Sequence, residues 1–175
     1  MNGFTAVPTQ LTIVLHGIED TERFANHLAK SLFLPMVITL SGEIGAGKTT
    51  LIRALLRALG VEGSIKSPTY SLLETYELPK LSAASQSPAQ CHHFDLYRVV
   101  DESELEFIGF RDYFQSNAVC CIEWPERISL PPNLIDLNLF LSQSNHGRRL
   151  CIEVNAKTSP LMSQCLAGFN EEHSV

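Results

Sequence analysis

The run over 36–40 (MVITL) and the pattern over 42–49 (GEIGAGKT) that comes after it carry the strongest structural signal in this chain. The first run is almost wholly apolar, as expected for a short buried strand. The second matches the pattern Gly-x4-Gly-Lys-Ser/Thr at every fixed position. Glycines allow backbone conformations that a Cβ would block, so the N–H groups of such a loop can surround an anion at the start of the next helix. The two runs together predict a strand followed by a phosphate-binding loop.

A helix is predicted over 48–59, directly after this loop. Its apolar residues fall on one side, and Gly60 supplies the C-terminal stop. Lys48 is expected to reach the β- and γ-phosphates of a nucleotide, and the Thr49 hydroxyl to bind Mg²⁺. The candidate nucleotide-binding residues of this segment are Gly42, Glu43, Ile44, Gly45, Ala46, Gly47, Lys48, Thr49 and Thr50.

The rest of the chain alternates apolar strand-like runs with helical ones. Strands are predicted over 10–16, 70–78, 92–100, 118–122, 134–141 and 148–154, and helices over 21–32 and 101–114, with Thr21 as the N-cap of the first. Buried strands separated by helices predict an α/β three-layer domain of the P-loop NTPase type, with a mixed, mainly parallel central sheet. One domain is expected over 1–157, including a surface loop over 79–90, with a weakly structured tail over 158–175.

Composition limits the classes of partner. The chain has 175 residues, of which 45% are apolar, and 13 Lys and Arg against 19 Asp and Glu give a net charge of −6. This is the composition of a folded domain without a basic surface for direct contact with nucleic acid or anionic lipid. The apolar run 32–38 contains Pro35 and is too short to span a bilayer, so no membrane partner and a cytoplasmic location are expected.

Two carboxylates are candidates for chemistry at the loop. Glu123 ends the apolar strand over 118–122, where proteins with phosphate loops place an acidic residue that holds Mg²⁺ or polarises water. Asp95 lies in an otherwise apolar and aromatic strand, where a carboxylate needs a partner or a cation. Either could orient the attacking water or hold the metal through water. The catalytic candidates are therefore Lys48, Asp95 and Glu123, and the metal candidates Thr49 and Glu123.

The sequence leaves the roles of two further residues, Trp124 and Thr69, open. Trp124, the one tryptophan in the chain, follows Glu123 and could pack in the core or contact the nucleotide. Thr69, in the run Ser67-Pro-Thr-Tyr70, lies about twenty residues beyond the loop, where GTPases place a mobile segment that senses the γ-phosphate. The five cysteines form no C-x-x-C pair and are expected to be reduced thiols.

Four blocks in order resemble the bacterial TsaE (YjeE) ATPases of tRNA threonylcarbamoyladenosine biosynthesis. They are GEIGAGKTT (42–50), SPTY (67–70), HFDLYR (93–98) and IEWPER (122–127), and the segment over 104–110 is similar as well. The blocks span about half of the chain. The loop over 79–90 and both ends are longer than in the compact family form, which leaves the nucleotide site unchanged.

This resemblance implies a P-loop fold with ATP or ADP and Mg²⁺ as ligands. It implies weak ATPase activity that is expressed mainly in a complex with TsaD and TsaB homologues, and hydrolysis that resets this complex between rounds of threonylcarbamoyl transfer to tRNA. The chain would meet tRNA only indirectly, through those partners. Asp95 and Glu123 become the acidic pair at the γ-phosphate and metal, with Thr69 in a switch-like loop and Trp124 beside the nucleotide.

Three other functions share the phosphate loop. A small-molecule kinase needs an acceptor pocket and a lid with arginines, and Arg148-Arg149, at a predicted turn, is the one arginine doublet. A GTPase is disfavoured because the chain contains no N-K-x-D-like run and no D-x-x-G run. The third alternative is a nucleotide-gated interaction module in which hydrolysis is incidental.

Overall fold

The computed structural model describes residues 9–81, 88–115 and 117–155, together with Met162 and Phe169. In chain order the strands and helices are β1 (Thr9–Leu15), α1 (Ile18–Ala29), β2 (Met36–Ser41), α2 (Lys48–Ala58), β3 (Leu73–Glu77), β4 (Gln90–Asp95), α3 (Ser103–Glu106), β5 (Ala118–Glu123), β6 (Leu137–Ser144) and β7 (Gly147–Val154). Short 3₁₀ turns cover Phe110–Gln115, Pro125–Arg127 and Pro132–Leu134.

One seven-stranded sheet runs through the domain in the order β1-β7-β6-β2-β5-β4-β3. The four central strands β6, β2, β5 and β4 are parallel, and antiparallel strands complete both edges. The expected α/β fold with a mixed sheet is confirmed. Because the central strands run in one direction, their carboxyl ends meet at a single edge of the sheet, where ligand sites of open α/β sheets lie.

Alternating side chains divide the core between the two faces of the sheet. Met36 and Ile38 pack with Phe24 of α1 and Leu51 of α2 in one apolar cluster. Val37, which points the other way, packs in a second cluster that α3 and the turn over 110–115 cover. Helical elements therefore lie on both faces, which makes the three layers.

Three local expectations need correction. The helix predicted over 101–114 is instead the four-residue helix α3 followed by the 3₁₀ turn over Phe110–Gln115. Thr21 is not the N-cap of α1, because the helix begins at Ile18 with Gly17 before it, and the Thr21 hydroxyl instead donates to the Gly17 carbonyl oxygen at 3.1 Å. The strand predicted over 92–100 ends at Asp95, where the chain turns and the Val99 N–H donates to the Leu96 carbonyl oxygen. This turn leaves Asp95 at the carboxyl end of β4.

The domain limits stay predictions. Most of the loop predicted over 79–90 and most of the tail predicted over 158–175 lie outside the described residues. Two tail residues are described, and both are buried against α1: Phe169 meets Phe24 edge to face, with ring centroids 5.5 Å apart, and Met162 lies 3.5 Å from the Ser31 hydroxyl.

Three buried thiols give a test of this core. Cys91, Cys120 and Cys121 are buried, whereas Cys151 is half-buried. Burial raises the pKa of Cys120 to about 12, and the pKa of Cys121 is raised by its contact with Cys91 and by burial. At pH 8, Cys120 is expected to form roughly a thousandfold less thiolate than an ordinary cysteine, so it should react with a disulfide reagent correspondingly slowly. Thiol titration with and without denaturant measures this, and rapid reaction of four or more thiols in the native protein would contradict the packing.

Candidate functional site

The loop between β2 and α2 needs its glycines. Gly42, Gly45 and Gly47 have φ angles of +136°, +78° and +105°, a region that other residues rarely adopt. At Gly42 there is also no space, because an added Cβ would lie 2.1 Å from the carbonyl oxygen of Leu141 in β6. The loop over 42–49 therefore lies directly against the neighbouring strand, in the left-handed conformations that the sequence pattern predicts.

The Lys48 side chain lies inside this loop. Its Nζ donates to the carbonyl oxygens of Gly42 and Glu43 at 2.7 and 2.9 Å, and it lies 3.9 Å from the centre of the Trp124 ring. Lys48 is 4% exposed. Burial lowers the pKa of its ammonium, and the nearby carboxylates of Glu123, Glu126 and Asp95 oppose that shift, Glu123 most strongly. Two loop carbonyls and three nearby carboxylates thus surround the ammonium group.

Thr49 and Glu123 meet across the gap between α2 and β5. Glu123 is the last residue of β5, which pairs with β2, and is 2% exposed. The Thr49 hydroxyl lies 2.8 and 3.0 Å from the two carboxylate oxygens and donates a hydrogen bond to the carboxylate. A third group, His93 of β4, places its Nε2 at 2.8 Å from Oε1 of Glu123. The two predicted metal candidates therefore lie in direct contact.

Asp95 lies beside this group at the end of the next strand, in register with Glu123. Its Oδ2 accepts a hydrogen bond from the Thr69 hydroxyl at 2.6 Å, and its Oδ1 accepts one from the Tyr97 N–H at 3.1 Å. The Ser67 hydroxyl is 2.9 Å from that of Thr69. The SPTY segment is thus tied to the end of β4 by the contact of Thr69 with Asp95, 26 residues later in the chain. A second contact lies just beyond β4, where the Arg98 guanidinium is 4.3 Å from the centre of the Tyr70 ring.

Trp124 follows Glu123 with a φ of +60°, which is uncommon for a bulky residue. Its N–H donates to the Leu40 carbonyl oxygen at 3.2 Å, which continues the pairing of β5 with β2. The half-buried ring faces Lys48 and lies 5.0 Å from the ring of Tyr97. Trp124 both packs against the second apolar cluster and borders the loop.

Three predicted loop residues do not bring their side chains to this cluster. Ile44 is 69% exposed. Ala46 is fully buried in the apolar cluster that contains residues of α1 and α2. Thr50, one residue beyond Thr49 on α2, borders a cavity between α1 and α2 together with Ile18 and Arg53. Any part that these three residues play in binding would have to come from their backbone groups.

Two residues of this region were not among the predicted site residues. His93 is fully buried, and its Nδ1 has no hydrogen-bonding partner in the described part of the chain. The sequence could have indicated His93 through its position two residues before Asp95, since side chains at that spacing share a face of a strand. Arg148 lies in β7 and not in the turn, and its side chain packs on the loop: a Cβ at Gly47 would lie 2.9 Å from its Nε. No sequence signal connects Arg148 with Gly47.

The fold and the glycine-rich loop define a P-loop-like α/β domain. A family model described as "Threonylcarbamoyl adenosine biosynthesis protein TsaE" matches residues 15–150. The chain belongs to the TsaE family, as the four sequence blocks indicated.

Known relatives agree with this assignment. The chain is 46% identical over 122 residues to the tRNA threonylcarbamoyladenosine biosynthesis protein TsaE of Haemophilus influenzae, a match that covers 69% of this chain and 70% of the relative. The protein of the same description from Rickettsia felis is 34% identical over 154 residues, with 86% and 84% covered. The crystal structure of Bacillus subtilis YdiB superposes with a TM-score of 0.68 and 21% identity, covers 93% of this chain and 97% of that one, and so supports the fold.

Two glycines of the loop allow a matched test of its packing. Gly42→Ala should lower the free energy of unfolding by about 2–5 kcal/mol, because a clash with the Leu141 carbonyl adds about 1–3 kcal/mol to a backbone cost of about 1–2 kcal/mol. Gly45→Ala should lower the free energy of unfolding by the backbone cost alone, since nothing lies within 4 Å of its Cβ position. Urea denaturation of both variants measures the difference, and equal losses would contradict the contact with β6.

Proposed function

We propose that this chain binds Mg-ATP at the loop over 42–49 and hydrolyses it, and that hydrolysis resets a TsaD–TsaB complex between rounds of threonylcarbamoyl transfer to tRNA. The observation that carries the proposal is the buried cluster in which Lys48, Thr49 and Glu123 meet at the carboxyl ends of β2 and β5. Membership of a family of tRNA threonylcarbamoyladenosine biosynthesis proteins supports the process in which this ATPase would act.

Lys48 would provide the charge that holds the phosphates. In the structure its ammonium bonds to two carbonyl oxygens of its own loop, and burial lowers its pKa, so the protonated form gains from an anion placed nearby. Backbone N–H groups of the loop, at the N-terminal end of α2, would supply the remaining donors. Binding would replace the two neutral carbonyl acceptors of Lys48 by negatively charged phosphate oxygens.

The oxygen groups of Thr49, Glu123 and Asp95 suit Mg²⁺, which prefers hard oxygen ligands. Within the described part of the chain there is no group of three or more His, Cys, Asp and Glu that could hold a metal alone. Nucleotide sites usually hold Mg²⁺ by one or two protein oxygens together with phosphates and water. Thr49 and Glu123 would hold the ion, directly or through water, and the ion would supply charge neutralisation at the phosphates.

Glu123 and Asp95 are the groups that could orient or deprotonate the attacking water. The two carboxylates lie side by side in register on β5 and β4, and their protein contacts restrict both. His93 would act as a positioning residue. A carboxylate only accepts hydrogen bonds, so Nε2 of His93 carries the proton that it donates to Glu123, which fixes the direction of that carboxylate.

Thr69 would connect the nucleotide with the partner surface. Its hydroxyl donates a hydrogen bond to Asp95. The segment that contains Thr69 also contains the highly exposed Tyr70. A γ-phosphate or its metal ion competing for Thr69 or Asp95 would break that contact and release the segment. This favours a second candidate function, a nucleotide-gated interaction module in which hydrolysis is incidental.

The partners would be TsaD and TsaB homologues, in the cytoplasm. The net charge of −6 supports an indirect role toward tRNA, since a protein that binds a phosphate backbone itself is usually basic. Among the described residues, no helix is both long enough and apolar enough to cross a membrane.

Replacing Lys48 tests nucleotide binding. Lys48→Ala should weaken Mg-ATP binding by about 10- to 100-fold, because it removes a charge-assisted bond to phosphate. Titration followed by Trp124 fluorescence reports this directly, since Lys48 lies over that ring. Lys30→Ala, at an exposed site after α1, is the matched control and should bind as the unchanged protein does. Equal affinities of the two variants would overturn the assignment of the site.

Replacing Glu123 separates hydrolysis from gating. Glu123→Gln should lower the hydrolysis rate in the presence of TsaD and TsaB by about 100-fold or more, the usual contribution of a general base, while Mg-ATP still binds. Multiple-turnover tRNA modification should then stop after about one round. The exposed Glu77, at the last position of β3, supplies the control variant Glu77→Gln. Modification that continues over many rounds in Glu123→Gln would favour the gated module.

A further inference from the structure

Two side-chain contacts tie the SPTY segment (67–70) to the end of β4. The Thr69 hydroxyl donates a hydrogen bond to Oδ2 of Asp95 at 2.6 Å, and the Arg98 guanidinium lies 4.3 Å from the centre of the Tyr70 ring, within the range of a cation–π contact. Tyr70 is 85% exposed and Arg98 is exposed as well, so the second contact lies at the surface. Within the described part of the chain, neither of these two side chains has a hydrogen bond or an ion pair. Their mutual attraction therefore determines where they lie.

The backbone directly after this segment is strained. Leu72 has a φ of +68°, a left-handed conformation that a bulky residue rarely adopts. Its N–H donates to the Pro68 carbonyl oxygen at 2.7 Å, and its carbonyl oxygen accepts from the Asp95 N–H at 3.1 Å. β3 begins at the next residue, Leu73. Such a conformation persists only where surrounding contacts hold it, so Leu72 is the position at which the segment would open if its contacts with β4 were lost.

The two contacts would respond differently to a nucleotide. Under the proposed function, a γ-phosphate competes for Thr69 or Asp95. Tyr70 and Arg98 are not among the residues assigned to the nucleotide or the metal, so their contact would stay until the segment moves. Opening the segment therefore has to break the ring contact as well, which lowers the apparent affinity for ATP by the fraction of molecules that stay closed. ADP has no γ-phosphate and leaves the segment closed, so its affinity does not depend on this contact.

We propose that Tyr70 and Arg98 form a latch that holds the SPTY segment closed and so limits the preference of the site for ATP over ADP, an inference that rests on the proposed function. Both are positioning residues, because the ring and the guanidinium determine where Thr69 lies and take no part in binding phosphate or metal. The contact of Thr69 with Asp95 senses the γ-phosphate, and the latch sets how readily the segment opens in response.

Titration calorimetry with two probes tests this latch: Mg-AMPPNP, a non-hydrolysable nucleotide with a γ-phosphate, and Mg-ADP. Arg98→Ala and Tyr70→Leu should each bind Mg-AMPPNP about two- to fivefold more tightly than the unchanged protein, the effect of removing an exposed cation–π contact. Their affinities for Mg-ADP should not change. Tyr70→Phe keeps an aromatic face for Arg98 and should bind both probes as the unchanged protein does. Phe107→Leu removes another aromatic ring that is highly exposed, and is the matched control.

Hydrogen exchange of the Leu72 N–H gives a second measurement, which needs no nucleotide. This N–H donates to the Pro68 carbonyl oxygen while the segment is closed. It should therefore exchange about two- to fivefold faster in Arg98→Ala than in Phe107→Leu, since exchange follows the local opening equilibrium that the latch opposes. Equal exchange rates in the two variants would overturn the latch.

The titrations separate the latch from the proposed function. Where the unchanged protein binds both probes, the latch is wrong and the proposed function stands if either latch variant binds Mg-AMPPNP with unchanged or weaker affinity, or binds both probes more tightly to the same extent. The same conclusion follows if Tyr70→Phe behaves as Tyr70→Leu does. If the unchanged protein binds neither probe and Lys48→Ala behaves identically, the proposed function fails and the latch fails with it.

Discussion

The buried charge of Lys48 is the constraint around which the site is organised. An ammonium group out of contact with water is costly unless hydrogen bonds and opposite charges surround it. Here the loop carbonyls of Gly42 and Glu43 supply the bonds, the Trp124 ring covers the group, and the carboxylates of Glu123 and Asp95 lie close enough to favour its charged form. Under the proposed function, anionic phosphate oxygens would take the place of the neutral loop carbonyls as acceptors of these bonds.

The parallel centre of the sheet explains why the acidic groups lie within reach of this charge. β2, β5 and β4 are neighbours and end at the same edge, so Glu123 and Asp95 occupy equivalent positions on adjacent strands. Two buried carboxylates side by side need donors, and Thr49, His93 and Thr69 supply them from three different elements. The same contacts that satisfy these groups also fix their directions, as a site that orients a water molecule requires.

The opposite side of β2 is built from different parts of the chain. The β6–β7 hairpin approaches the loop closely at Gly42 and Gly47 and the end of β1 at Gly147, and at each of these glycines an added Cβ would lie within 3 Å of another residue. Gln143 and Arg148 border a cavity of about 300 Å³ where these segments meet. The loop thus lies between the carboxylates of β4 and β5 on one side and the β6–β7 hairpin on the other.

Local patterns in the sequence determined the glycine-rich loop, the apolar strands before and beside it, and the family, because a phosphate loop needs particular residues at adjacent positions. They also indicated Glu123 and Asp95, which stand out as charges at apolar strands. Tertiary structure alone decided the contact of His93 with Glu123, the packing of Arg148 on Gly47 and the outward direction of Ile44. The partners in the first two contacts are separated by 30 and about 100 residues, and they meet only because the strand order makes β4 and β5 neighbours and folds β7 back toward the loop. Hydrophobic periodicity predicts which face of a strand is buried, but it carries no information about which strand lies beside it.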